Sequence, residues 1–331
     1  MNRDELQHAL QDFHGLGNIE KLDSDDALRV TEQPRLVSRF YDAVTSFYEF
    51  GWGATFHFSP RRPGENLRSS QQRHEEGIAK LLRIGPKMIV ADVGCGVGDP
   101  LITIGRSTGA KIVGINFNAY QIQRGEKLID QAGLGDSCSF LYADFMDVPL
   151  KDGTFDALYS FEAICHAPDR KRTFCELFRL LKPGAEAAFI DWTLTDKFDA
   201  SNTSHVQIRA QIERNNATPD LLSADEYVAA VESAGFEVVE KLDQQVVVGD
   251  PSTPWYMALE GRDFSISSAA RTPVGRSFTA VLTRILERLK LAPKGTSETS
   301  RILNAAADSL TEAGKLGIFT PRFLVHARKP S

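Results

Sequence analysis

The chain of 331 residues reads as an α/β protein built on a Rossmann-like, nucleotide-binding sheet. Three observations predict this. A short apolar run, 88–93, ends in Gly94, Gly96 and Gly98, and a helix-like segment follows. Further apolar runs at 111–116, 139–142, 155–160 and 186–192 alternate with helical periods. Polar side chains, Asn116, Asp144 and Glu162, stand at the carboxyl ends of these runs, where ligands bind in open α/β sheets.

Taken in order, 4–13 reads as a short helix before a polar loop. The stretch 47–58 is rich in rings: Tyr48, Phe50, Trp52, Phe56, His57 and Phe58. Gly51 and Gly53 interrupt any period there, which predicts a shaped loop that offers aromatic faces to a bulky apolar ligand. A hydrophobic clasp packed on the sheet is the alternative. A helix over 71–82 stops at Gly85-Pro86 and delivers the chain to the first strand. The run 88–93 is uniformly apolar, as a strand buried on both faces requires. The glycines then allow a sharp turn, and the next helix, 101–107, offers its free N–H groups to a ligand.

Strand two, 111–116, ends in Asn116, whose amide can donate to and accept from a ribose diol. Asn118 is a helix cap for 119–132, with Gln121 in its first turn. Asp144, after strand three, is placed to accept from an adenine amino group, and Phe145 follows it. Strand four leads into the second chemical centre, 161–169. Glu162 and His166 lie four apart, so they share a face if the segment is helical, and either is a candidate base. A helix at 170–181, closed by Lys182-Pro183-Gly184, precedes strand five. Helices at 206–214 and 224–234, a strand within 236–248, amphipathic helices at 278–289 and 301–312, and a last strand at 318–327 complete the chain. The helix at 278–289 gathers Val281, Leu282, Ile285, Leu286 and Leu289 on one face beside Arg284, Arg288 and Lys290. Core packing, an oligomer face, a lid over an apolar pocket and a membrane-surface helix all suit that pattern.

Composition narrows the classes. The 42% hydrophobic content suffices for a sizeable core, and the net charge of −6 argues against nucleic acid as a partner. Four scattered cysteines, without a C-x-x-C pair, read as reduced thiols and point to no metal site. The first residues are too polar for a signal peptide, and no apolar run reaches the roughly 20 residues that span a bilayer.

The glycine spacing departs from the dinucleotide fingerprint, because Asp99 stands where the third glycine belongs. It resembles instead the S-adenosylmethionine loop of Rossmann-like methyltransferases, with Asp92 just ahead of it. The ring-rich segment 48–58, the loop 162–169, Thr195-Asp196-Lys197-Phe198-Asp199 and the terminal Ile318-Phe319-Thr320-Pro321 together resemble the sterol 24-C-methyltransferase family over about 40–330. The aromatic segment is the specific part. Ser46, Phe50, Ile164 and 215–220 depart from the family's pattern, which leaves the particular sterol open.

That resemblance implies a class I methyltransferase fold with an N-terminal helical cap and a C-terminal helical insertion. Its expected division is 1–70 for the aromatic substrate-binding segment, 71–200 for the cofactor core, and 201–331 to complete sheet and pocket. It implies S-adenosylmethionine as cofactor, held by Asp92, Gly94, Cys95, Gly96, Gly98, Asn116, Asn118, Gln121, Asp144, Phe145 and Glu162. The implied reaction methylates the side-chain double bond of a sterol, at carbon 24, through a carbocation. Tyr48, Phe50, Trp52, Phe56, His57, Phe58 and Trp192 then form the substrate wall. His166, Glu162, Tyr48 and Glu49 are the catalytic candidates, His166 being preferred as the base. Another isoprenoid lipid as substrate, or a carrier that binds without catalysis, are the competing readings. A cytoplasmic enzyme, peripheral at a membrane surface and with a homo-oligomer open to it, completes the expectation.

Overall fold

A computed structural model describes residues 26–51, 55–262, 266–292 and 295–331. The expected helix at 4–13 and Trp52 lie outside the described residues, as do the side chains of Tyr48, Glu49 and Phe50.

The order is α1 (Asp26–Gly51), α2 (Leu67–Leu81), β1 (Ile89–Val93), α3 (Asp99–Thr108), β2 (Lys111–Asn116), α4 (Ala119–Ala132), β3 (Cys138–Tyr142) and β4 (Phe155–Phe161). There follow α5 (Arg170–Leu180), β5 (Leu181–Leu194), α6 (Thr203–Asn215), α7 (Ala224–Ser233), β6 (Glu237–Asp243), the short α8 (Gln244–Val247), α9 (Pro273–Arg288), α10 (Thr296–Leu316) and β7 (Phe319–Arg328). One seven-stranded sheet runs β3-β2-β1-β4-β5-β7-β6. The first five strands pair in parallel, and β7 inserts antiparallel between β5 and β6. The order reverses beside β1, so a crevice opens at the carboxyl ends of β1, β2 and β4.

Alternation along the strands feeds two cores. Ala91, Val93, Leu158 and Phe189 pack under α5 and α7, while Val90, Ile112, Tyr159 and Ile190 pack under α2 and α3. Burial on both faces is why these strands read as continuous apolar runs. A third cluster, Trp192, Ile208, Trp255, Leu310 and Phe319, ties the C-terminal helices to the end of the sheet. A fourth seats α1, through Leu36, Val37, Phe40 and Val44, on Ala217 and Ile302.

Caps fix the ends of the helices. Asn118 accepts from Gln121 N–H at 2.8 Å, Asp169 accepts from Arg172 N–H at 2.8 Å, and Ser223 with Glu226 makes a reciprocal box at α7. The N-terminus of α3 differs: Gly98 (φ 82°) precedes it and no side chain caps it.

Three local expectations are corrected. Residues 47–51 continue α1 and form no loop; Gly51 ends the helix, where a glycine costs little. Lys182-Pro183-Gly184 does not close α5; it is an irregularity within β5, whose pairing with β4 shifts there. Glu162 and His166 share no helix: Glu162 has φ 51° and His166 ends a 3-10 turn, Ile164–His166.

Candidate active site

A cavity occupies the crevice, lined by the glycine loop and by aromatic rings. Gly94 (φ 71°) and Gly96 (φ 56°) line it in left-handed conformations. A Cβ on Gly94 would lie 2.2 Å from the Ala163 Cβ, so the loop after β4 closes on the glycine itself. Asp92 lines the same wall, and the Tyr159 hydroxyl donates to its carboxylate at 3.2 Å. Burial pushes the Asp92 carboxyl up to about 8, with the Tyr159 hydrogen bond acting in the opposite direction.

The Asn116 amide donates to Gly96 O at 3.0 Å and to Gln121 Oε1 at 2.9 Å, while its oxygen accepts from Asn118 N–H at 3.2 Å. Asn118 reaches α1 through Asp42 Oδ1 at 2.9 Å and Ser38 O at 3.1 Å. Gln121 reaches it through the Thr45 hydroxyl at 3.3 Å. Helix α1 therefore covers the cavity and is held by the residues that follow β2.

The same cavity is lined by Phe56, His57, Phe161, Glu162, Tyr41 and His166. Glu162 accepts from Phe58 N–H at 2.5 Å and from the Trp192 indole N–H at 2.7 Å. Burial raises its pKa to about 7, against the influence of charged His57 and these two donors. His57 is stacked on Phe161 with centroids 4.4 Å apart and bonds Glu75 at 3.1 Å. Burial pulls the His57 pKa down, but the hydrogen bond and charge of Glu75 prevail and raise it. The two form a buried pair, and the charge of His57 acts on Glu162 as well.

The His166 Nδ1–H donates to Ala217 O at 3.2 Å, because a carbonyl only accepts. Its Nε2 lone pair therefore takes the Tyr41 hydroxyl at 3.0 Å. Burial lowers the His166 pKa to about 4, so the ring is neutral.

The structure gathers Asp92, Gly94, Cys95, Gly96, Asn116, Asn118, Gln121, Phe145, Glu162, His166, Phe56 and His57 around one cavity, as their sequence positions predict. Four expected members do not line it. Asp144 instead accepts from Met146 N–H at 2.9 Å within its own turn. Gly98 is needed for the turn and for the Phe140 ring, which would lie 2.6 Å from a Cβ there. The Phe58 ring packs on Trp255 at 5.0 Å, and the Trp192 ring on Phe319 at 5.4 Å. Both hold Glu162 from behind. The side chains of Tyr48, Glu49 and Phe50, and the whole of Trp52, lie outside the described residues. Sequence reasoning missed Tyr41, Phe161 and Glu75. Tyr41 lies just ahead of the ring-rich stretch 47–58, Phe161 opens the segment 161–169 singled out above, and nothing local signals Glu75.

These residues fit S-adenosylmethionine. Two cavity-lining glycines hold positive φ, so the backbone can approach a ligand without a Cβ. The buried Asp92 carboxylate lines the cavity beside the Tyr159 hydroxyl, and amides stand at the end of β2. One pH effect follows for the ligand-free enzyme. Asp92 has a folded pKa of about 8 against 3.8 for an aspartate free in water, so its contribution to stability is full below about pH 4 and is lost as pH rises towards 8. Asp92→Asn should flatten this fall in a series of denaturant titrations. The same variant should weaken donor binding most above pH 8, where the native carboxylate is charged. An unchanged pH slope would show that Asp92 keeps an ordinary pKa.

A methyltransferase-domain model matches residues 91–189, and a sterol methyltransferase C-terminal model matches residues 266–331. A cycloartenol-C-24-methyltransferase of Oryza sativa subsp. japonica is 41% identical over 334 residues, covering 100% of this chain and 94% of its own. Its counterpart in Arabidopsis thaliana is 42% identical over 318 residues, covering 96% and 91%. The fold is similar to that of a geranyl diphosphate C-methyltransferase from Streptomyces coelicolor, solved with S-adenosyl-L-homocysteine: TM-score 0.62, 16% identity, 90% and 98% coverage. With a glycine cradle, Asp92 and Glu162 around one crevice, and this likeness along its whole length, the chain belongs to the sterol 24-C-methyltransferase family of S-adenosylmethionine-dependent enzymes.

Proposed function

We propose that the enzyme adds a methyl group to carbon 24 of a sterol whose side chain carries a double bond there. The observation that carries this reading is the shared cavity. The glycine cradle, Asp92 and Glu162 line it together with Phe56, Phe161 and Tyr41. The relatives' names supply the sterol and the carbon, and cycloartenol is the first substrate to try.

S-adenosylmethionine, when bound, supplies a methyl group already activated as an electrophile, so the alkene needs no base to attack it. What the chain must do is align the two partners and deal with the positive charge left on the sterol. Alignment is worth up to roughly 7–11 kcal/mol in favourable cases. The buried walls exclude water that would trap the cation. Aromatic faces stabilise such a charge by about 2 kcal/mol or more when desolvated. Glu162 adds a fixed negative charge aimed into the cavity by Phe58 and Trp192.

A proton must finally leave the carbon beside the cation. Such a proton is acidic enough for a neutral imidazole to accept. The route runs through Tyr41: its oxygen takes the proton as its own passes to His166 Nε2. Tyr41→Phe keeps the ring and removes the relay. It should lower kcat by about 10²-fold with donor affinity intact, and adding His166→Ala should cost little more. Normal turnover by the phenylalanine variant would eliminate this route.

The decisive experiment combines labelled S-adenosylmethionine with cycloartenol, the same sterol with a saturated side chain, and a linear triterpene. Mass analysis of the product locates the methyl group. Transfer to the unsaturated sterol alone supports the reading. Transfer to the triterpene alone makes another isoprenoid the substrate, and binding without transfer makes the protein a carrier. Among the described residues no helix is long and apolar enough to cross a membrane. The reading places the enzyme in the cytoplasm, against the membrane that holds its lipid substrate.

A further inference from the structure

Helix α9 is inside out. Val274, Phe278, Val281, Leu282, Ile285 and Leu289 fall within about 100° of its circumference. All six are exposed; Val274 is 80%, Phe278 67% and Val281 55% accessible. The opposite side, packed towards α10, carries the buried Thr283 and the half-buried Thr279. Their hydroxyls turn back onto the helix itself, at Ala280 O (3.2 Å) and Gly275 O (2.8 Å). A surface helix ordinarily buries its apolar stripe, and this one presents it to the outside.

The charge around the stripe has one sign. Residues 266–297 hold six Lys or Arg and one acidic residue, in a chain of net charge −6. That acidic residue, Glu287, is turned away: it accepts from Gly295 N–H and the Ser297 hydroxyl. Arg284 and Arg288 are exposed along one edge of the stripe, and Lys290 and Leu291 are exposed just past its end. Arg276 instead points inward, to Asp308 and to Leu259 O at 2.5 Å.

We infer that α9 is a membrane-docking helix that lies in the surface of an anionic phospholipid bilayer, its stripe among the acyl chains and Arg284, Arg288 and Lys290 among the headgroups. A basic amphipathic helix of this kind binds through buried apolar area together with attraction to anionic lipid. A second copy of the chain suits the face less well. A symmetric contact would set each arginine edge against the partner's stripe or arginines, with no acidic group on the face to receive it. The placement also suits a lipid substrate, and to that extent rests on the proposed function. The 3-10 turn Ile266–Arg271 packs on both α9 and α1, so the docked face adjoins the helix that covers the cavity.

The test is cosedimentation of the full chain with sterol-free vesicles, without methyl donor. One set is phosphatidylcholine, the other phosphatidylcholine mixed with phosphatidylserine. The native chain should bind the mixed vesicles, and more weakly as salt increases. The double variant Phe278→Ser, Ile285→Ser should lose about tenfold or more of that affinity. Arg284→Glu with Arg288→Glu should lose binding to the mixed vesicles only. All four positions are exposed, so melting temperatures should stay near native, and turnover on detergent-dispersed sterol should persist. Failure of the native chain to bind, or unchanged binding by both variants, overturns the inference. So does a native dimer in sedimentation that the serine variant splits, since the stripe would then be a contact between copies. The vesicle binding and sedimentation that decide the inference do not use methyl transfer, so failure here leaves the carbon-24 reading standing, and failure of that reading leaves this one.

Discussion

Glu162→Gln lowers kcat by about 10²–10³-fold while S-adenosylmethionine binds nearly as before, because it removes a preorganised charge that matters once the sterol is cationic. In the proposed role this carboxylate acts in its ionised form. Its pKa of about 7 makes kcat rise with pH through neutrality and level off above it. In the glutamine variant that limb disappears. The substitution also has a structural cost. Two donors, Phe58 N–H and the Trp192 indole, point at the carboxylate, and an amide can accept at only one end. The unanswered donor costs about 1–3 kcal/mol, which a denaturant titration measures separately from turnover. A folded glutamine variant with native kcat and an intact pH limb would remove Glu162 from the chemistry.

Gly94→Ala abolishes donor binding and destabilises the fold. The added Cβ would meet the Ala163 Cβ at 2.2 Å, and φ at 71° is strained for any residue with a side chain. Strain of this kind costs about 1–3 kcal/mol, and the overlap adds about as much again. The companion change Ala163→Gly tests the cause. It frees the space but leaves the φ strain, so the double variant should recover part of the stability and part of the binding. If Gly94→Ala alone binds the donor normally, the loop is not the cradle. If Ala163→Gly rescues nothing, the contact between the two loops is not what the glycine serves.

The two substitutions act on different kinds of information. The glycine turn, the strands at either side of it and the Asn118 cap are local. Each is written in a few consecutive residues, because backbone sterics and burial periodicity operate over that distance. The chain sequence by itself therefore determined the sheet, the cofactor loop and the presence of a carboxylate and a histidine after β4. It determined much less about how these meet. Glu162 is bonded by a backbone group 104 residues away, and Tyr41 meets a histidine 125 residues away. Contacts between distant elements also drew Gly98, Phe58 and Trp192 from the cavity wall and turned the apolar stripe of α9 outward, whereas Asp144 was taken up by its own turn. Only tertiary structure decided these matters. Periodicity records that a residue is buried, whereas its partner and its pKa depend on which distant groups desolvate it and which donors they bring.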